Sequence, residues 1–272
     1  MIKNLVLTAA VGYNFDQIEL FLKSLRKYYS DKICIIIGKG DIHIENEIKK
    51  FNCKVIKTSI TKKNIQFQRY KIYAELLNEE NFKDVLLCDS RDIYFQSNPF
   101  KYSYEGSINF FLEDYKIKNC PYNSNWLIKT YGKNEFEKIS NKTILCSGTV
   151  LGSYKKIKEY LDQMNINISK FKYKKKLKYL LTFRTDPAGR GCDQGHANYL
   201  VHNELIKDYK FYNNYDGPIA TVFYMDKINF DNESRLLNSF GDPYSVVHQY
   251  DKRWEEFSKH FEKIKKNILK DD

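Results

Sequence analysis

The chain has 272 residues, 42% of them hydrophobic and 15% aromatic, and a net charge of +11. That composition excludes a disordered chain and allows one large domain with a substantial core. The positive balance favours anionic partners (nucleotide phosphates, nucleic acid or an acidic membrane face) without choosing among them.

In chain order, residues 5–10 read as a first strand, followed by a turn at Gly12. Ile18, Phe21, Leu22 and Leu25 recur at helical spacing and predict an amphipathic helix over 15–28. Strands are expected over 33–37 and 54–58, with a short helix over 44–51 between them. A longer helix over 64–78 carries Tyr70, Tyr73, Ala74 and Leu77 on one face, and a strand over 85–88 follows. This alternation implies a mainly parallel sheet with right-handed crossovers, a Rossmann-like nucleotide-binding half. It lacks both the G-x-G-x-x-G fingerprint and a Walker-type phosphate loop.

The second half is less regular. Strands are expected over 107–112, ending in Glu113-Asp114, over 143–151, interrupted by Ser147-Gly148, and near Phe211, 219–224 and 245–248. Helices are expected over 125–131, 154–164, 193–205 and 252–269, the third with Asp193 as a plausible N-cap. No repeat or linker-like stretch appears, so the chain reads as a single α/β domain, 1–114 forming the nucleotide half and 115–272 the acceptor half.

The stretch that organises these elements is Val85-Leu86-Leu87-Cys88-Asp89-Ser90-Arg91-Asp92-Ile93-Tyr94-Phe95. Its first apolar run is too short for a helix and reads as a buried strand. Ligands of open α/β sheets sit outside the carboxyl ends of the strands, where Asp89 and Asp92 fall. Two close carboxylates repel unless a positive charge lies between them, and hard divalent cations are held in this way together with diphosphate oxygens. A charged turn in which Arg91 neutralises Asp89 and Asp92 fits the same residues.

The chain resembles a nucleotide-sugar-dependent glycosyltransferase of the GT-A fold. The resemblance rests on the opening β-α-β half with Leu7-Thr8-Ala9-Ala10 and on Gln68-Arg69-Tyr70 in the helix before the acidic strand end. It continues with the D-x-D-like acidic motif, Ser147-Gly148 in a later strand, the Asp193-Gln194 helix start, and a late His248 before Gln249-Tyr250-Asp251-Lys252-Arg253-Trp254. The motif departs from the family in having two residues between the acids. The resemblance implies that Asp92 and His248 hold a divalent metal, Mn²⁺ favoured over Mg²⁺, that bridges the diphosphate of a nucleoside-diphosphate sugar, UDP favoured. Asp89 would then bind ribose; the alternative is that Arg91 partly replaces the metal.

The same resemblance makes Asp193 the acid facing the sugar and acceptor. It would be a general base in an inverting enzyme or a ligand of sugar hydroxyls in a retaining one. A plain helix cap is sufficient by itself for that residue. Thr8, Ala9 and Ala10 would let base and ribose approach the first strand, with Ser90 and Arg91 beside them. Arg69 is expected to bind phosphate or base, or else to sit on a solvated face. Lys252 and Arg253 would clasp the diphosphate, or simply open a charged helix. Ser147, Gly148 and Gln194 would shape the sugar pocket, a strand bulge being the plainer reading of Ser147-Gly148.

The implied activity is transfer of a hexosyl or deoxyhexosyl group to a hydroxyl of a glycan acceptor. A nucleotidyltransferase acting on a sugar phosphate would also use paired acids, but would usually show a Gly-rich phosphate loop. A nucleic-acid-binding protein is suggested only by the charge and by the basic-aromatic run 170–181, which equally suits peripheral membrane contact or a solvated face; no nucleic-acid recognition motif is found, and none is expected as partner. Six cysteines stand singly without a CxxC pair, and neither a signal peptide nor an apolar run of membrane-spanning length appears. A cytoplasmic setting is the expectation, with peripheral membrane contact through 170–181 as the alternative.

Overall fold

The computed structural model describes residues 3–102, 107–171 and 191–269. It is a mixed α/β fold with eight α-helices among the described residues. Strands β1 (Leu5–Ala9), β2 (Lys32–Gly38), β3 (Lys54–Thr58) and β4 (Asp84–Cys88) alternate with helices α1 (Glu19–Tyr28), α2 (Ile42–Lys50) and α3 (Ile65–Glu79). A short strand β5 (Ile93–Phe95) follows, then β6 (Ile108–Lys116), α4 (Pro121–Tyr131), α5 (Lys133–Ile139), β7 (Thr143–Ser153) and α6 (Tyr154–Lys170). The rest comprises α7 (Cys192–His202), β8 (Tyr209–Tyr212), β9 (Ile219–Thr221), β10 (Asn229–Phe230), β11 (Leu236–Leu237), β12 (Val246–His248) and α8 (Trp254–Leu269).

The central sheet has seven strands in the order β3-β2-β1-β4-β7-β6-β8. β7 alone among them runs antiparallel to its neighbours β4 and β6. The strands are apolar on both faces because helices cover both. Leu5, Leu7, Val85 and Leu87 face α3, α6 and α7, packing on Tyr70, Tyr73, Ile157, Tyr160 and Leu200. Val6, Ile33, Ile35 and Leu86 face the other way, onto Phe21, Leu22 and Leu25 of α1 and Ile44 and Ile48 of α2.

A second sheet, β5-β12-β9, packs with α8 over a smaller core containing Tyr94, Tyr244, Val247 and Phe257. β5 belongs to this sheet and not to the central one. The six-residue stretch from Cys88 to Ile93 therefore passes from one sheet to the other, with both acids in the crossing.

Several boundaries differ from the sequence expectation. The helix expected over 15–28 is a 3-10 turn at Phe15–Gln17 followed by α1. The strand expected to stop at 112 continues to Lys116 through a bulge against β7, which buries Glu113 within it. The strand expected over 219–224 ends at Thr221 and becomes a 3-10 turn. The terminal helix begins at Trp254, after a 3-10 turn at Tyr250–Arg253. Helix α5 and the β10–β11 hairpin were not expected. Of the basic-aromatic run 170–181, residues 172–181 lie outside the described residues. No helix among the described residues is long and apolar enough to cross a membrane.

Candidate active site

The two sheets meet at Asp89, Asp92 and His248. Asp89 follows β4, and its backbone N–H donates to Gly148 O of β7 at 2.9 Å. Asp92 precedes β5. Antiparallel pairing sets His248 of β12 opposite Ile93, and Gln249 N donates to Asp92 O at 2.7 Å. His248 Nε2 then lies 3.5 Å from Asp89 Oδ2 and 3.7 Å from Asp92 Oδ1. One ligand atom from each of the three residues lies within 4.8 Å of the others.

Three observations bear on a cation at this point. The separations are long for hydrogen bonds, whereas ligands about 2.1 Å from a shared cation stand about 3 to 4.2 Å apart. His248 Nε2 is buried and has no hydrogen-bond partner among the described residues. A Cβ on Gly148 would stand 2.5 Å from His248 Cε1, 2.7 Å from Asp89 Oδ2 and 2.9 Å from His248 Nε2, so this glycine keeps a space open between the imidazole and the carboxylate. The two carboxylates suit Mn²⁺ or Mg²⁺, and the imidazole, a ligand of transition metals, favours Mn²⁺ of the two.

Electrostatics separate the two acids. Burial works against the charge on Asp89, but the Arg69 guanidinium and His248 outweigh it and hold the carboxyl well below the usual range. Asp92 goes the other way: burial raises it, and the charges of Asp89 and Asp251 add, against His248 and Arg91. Burial alone would lower His248; Cys146 and the two carboxylates raise it well above its usual value.

Arg69 lies inside the protein, not on a solvated face. It donates to Asp89 Oδ1 at 2.6 Å and to Asp193 Oδ2 at 2.8 Å, joining the metal-side and sugar-side acids. Asp193 is not the N-cap of α7. Gly191 takes that place at φ 78°, and its N–H donates to Gln66 Oε1 at 2.8 Å. A Cβ there would also sit 2.7 Å from the Trp126 ring. Asp193 lies in the first turn and turns inward because Arg69 and Tyr70 meet it there, the Tyr70 hydroxyl donating to Oδ2 at 3.1 Å. Burial pushes its carboxyl up, as does Asp89, against Arg69 and Tyr70.

The other expected residues are placed as follows. Ser90 is buried and donates to Ala9 O at 2.9 Å, tying the end of β4 to that of β1. Thr8 and Ala10 are buried and Ala9 partly so. Arg91 pairs with Asp251 at 2.8 Å and reaches Asp92 only at 3.5 Å. The charged turn in which Arg91 neutralises both acids is thus replaced: Arg69 serves Asp89. Ser147 N donates to Gln194 Oε1 at 3.4 Å, fixing α7 to β7. Lys252 stays half exposed, 3.6 Å from Asp251. Arg253 turns away, bonded to Met225 O and to Glu256.

Sequence reasoning missed four residues here. Tyr70 stands in the Gln68-Arg69-Tyr70 motif and as a core position, with no contact to Asp193 expected. Tyr13, after β1, has its phenol raised by burial and by the charges of Asp89 and Asp92, with Lys62 Nζ 4.1 Å from the ring centroid. Cys146 approaches His248 Nδ1 at 3.3 Å. Glu113 is buried near it, its carboxyl pushed up to about 7 by burial, against His248, Gln194 and Cys146. An acid in an otherwise apolar strand was the available signal for Glu113; nothing local marked the other three.

No protein-family model matches the chain, and no curated protein matches it.

Proposed function

We propose that this protein is a metal-dependent glycosyltransferase of the GT-A type. It moves a sugar from a nucleoside-diphosphate donor, UDP favoured, to a hydroxyl of a glycan acceptor. The observation that carries this reading is the convergence of Asp89, Asp92 and the unpartnered His248 Nε2 around the space kept by Gly148, at the carboxyl end of β4. The mostly parallel sheet is compatible with a nucleotide-binding half and puts the site where such folds bind ligands.

In this reading Asp92, His248 and Asp89 hold a divalent cation, which would supply neutralisation of the charge that builds on the departing diphosphate. The acceptor oxygen forms a bond to the anomeric carbon as the bond from that carbon to the diphosphate oxygen breaks, and the acceptor proton passes to the Asp193 carboxylate in an inverting reaction or to the departing diphosphate oxygen in a retaining one. Among the described residues, the side-chain hydrogen bonds to Asp193 from Arg69 and Tyr70 both fall on Oδ2. Its other oxygen is left for a hydroxyl, the acceptor's in an inverting reaction or the sugar's in a retaining one. Arg69 and Tyr70 hold the carboxylate still. Lys252 and Arg91 supply positive charge at the rim.

The test is thermal unfolding against UDP, GDP, dTDP and CDP, each with and without Mn²⁺. A ligand that binds only the folded state stabilises it by about 2.7 kcal/mol at a hundred times its dissociation constant. A shift for one nucleotide that requires Mn²⁺ and vanishes in Asp92→Ala is expected. No shift with any of the four, or full transfer by Asp92→Ala, would overturn the proposal.

A further inference from the structure

We infer that Cys146 is a positioning residue for the metal-binding imidazole: its sulfur accepts the Nδ1 proton of His248, so that Nε2 presents its lone pair to the cation. This rests on the metal reading above and assigns a part to a thiol outside the ligand set.

The geometry is direct. His248 meets two environments. Nε2 faces Asp89 and Asp92 and has no hydrogen-bond partner. Nδ1 faces Cys146 Sγ at 3.3 Å, within range of a hydrogen bond to sulfur. A neutral imidazole carries one proton, and a ring that ligates through Nε2 must carry it on Nδ1. Metal-bound histidines usually pass that proton to a carboxylate, a carbonyl or water, and this outer partner fixes the tautomer and the ring orientation. Here a sulfur occupies the place.

Burial makes the choice consequential. Cys146 is 1% exposed and His248 1% exposed, so water does not stand in for the thiol. The thiol also lies beside Glu113. Glu113 is 2% exposed, and its Oε1 is buried without a hydrogen-bond partner. Cys146 therefore adjoins both the imidazole and the Glu113 carboxyl. β7 sets this line, since Cys146 and Gly148 lie two residues apart on one strand and both address His248.

The test compares wild type with Cys146→Ala and Cys146→Ser. Mn²⁺ affinity is read by electron paramagnetic resonance of the free ion, folding by thermal unfolding. The ¹⁵N spectrum of the Mg²⁺-loaded wild type is recorded alongside, with His248 assigned by difference from His248→Gln. Cys146→Ala is expected to bind Mn²⁺ about tenfold or more weakly while remaining folded. Cys146→Ser, which keeps a hydroxyl acceptor, should stay within about threefold of wild type. The spectrum should show the proton on Nδ1. Equal Mn²⁺ affinity in wild type and Cys146→Ala, or a proton on Nε2 in the loaded protein, overturns the assignment of Cys146 and leaves the metal site standing. Failure of wild type itself to bind Mn²⁺ overturns the metal reading and this one with it.

Discussion

Gly148 and His248 stand so close that a single methyl group on the glycine would reach within 2.5 Å of the imidazole Cε1. No ordinary contact is that short, so alanine there must displace either the ring or Asp89 Oδ2. We expect Gly148→Ala to abolish the Mn²⁺-dependent stabilisation by nucleotide. Overpacking should cost about 1–3 kcal/mol. Thermal unfolding with and without Mn²⁺ checks both; unchanged Mn²⁺ dependence would refute the space-keeping role.

Arg69 neutralises two acids at once, Asp89 and Asp193. Removing it leaves the buried Asp193 without a counter-charge and leaves Asp89, whose side chain is 36% exposed, with His248 alone, a loss of about 3–5 kcal/mol. A lysine carries one point charge and does not bridge as the guanidinium does. Arg69→Lys is therefore expected to fall between wild type and Arg69→Ala in denaturant unfolding. Asp193→Asn should recover part of the Arg69→Ala loss, read as a double-mutant cycle.

Asp193→Asn keeps the shape of the side chain and its contact with Tyr70 but removes the charge. Transfer should fall by about 10²–10⁴, the usual range for a positioned acid or base. Mn²⁺ and nucleotide binding should change little, because the metal-side residues are untouched. NMR of the anomeric centre in the wild-type product tells which hydroxyl Asp193 serves. Unimpaired transfer would remove it from the reaction.

Glu113 gives a pH signature. Its carboxyl is raised from 4.5 to about 7 by burial, so the folded state binds the extra proton between those values. The stability it contributes is complete below about pH 4.5 and lost as pH rises through 7. The shift corresponds to about 3 kcal/mol. His196 and His202 act in the opposite sense: burial lowers both to about 4, and their contribution is lost as pH falls from 6.5 to 4. The difference between wild type and Glu113→Gln isolates the carboxyl. That difference should grow in favour of the glutamine variant as pH rises from 4.5 to 7, and a flat one would contradict the burial argument.

Lys252 and Arg253 are neighbours in sequence with different surroundings. The Lys252 side chain is 46% exposed with Asp251 as its nearby acid. Arg253 is 21% exposed and is held by Glu256 and Met225 O. Lys252→Ala should raise the donor KM several-fold with little change in unfolding. Arg253→Ala should lower the unfolding midpoint instead. Steady-state kinetics and thermal unfolding together separate the two outcomes.

Much of the first half was legible from local pattern. Apolar runs of four to six residues alternate with helical periodicity up to Cys88, and short-range spacing alone identifies β1 to β4 and α1 to α3. The strand end at Asp89 was legible for the same reason, since an apolar run meets charge there. The inward turn of Asp193 was not, because a carboxylate beside a helix start reads as a cap unless Arg69 and Tyr70 are known to face it. Arg69 itself lies 124 residues away in sequence. Helix α5 carries many polar residues and only a short apolar face, so periodicity passes over it.

By itself, the sequence determined the mostly parallel α/β architecture, the placement of Asp89 and Asp92 at a strand end, and the residue types available for a cation. Periodicity and strand-end chemistry are local, and local order is what a sequence displays. Only the tertiary structure decided which residues share the site. Pairing of β12 with β5 brings His248 to Asp92, the turn of α7 brings Asp193 to Arg69, and the run of β7 brings both Gly148 and Cys146 to the imidazole. Those contacts join positions far apart in the chain, and they form only when two sheets and the helices between them close on one another.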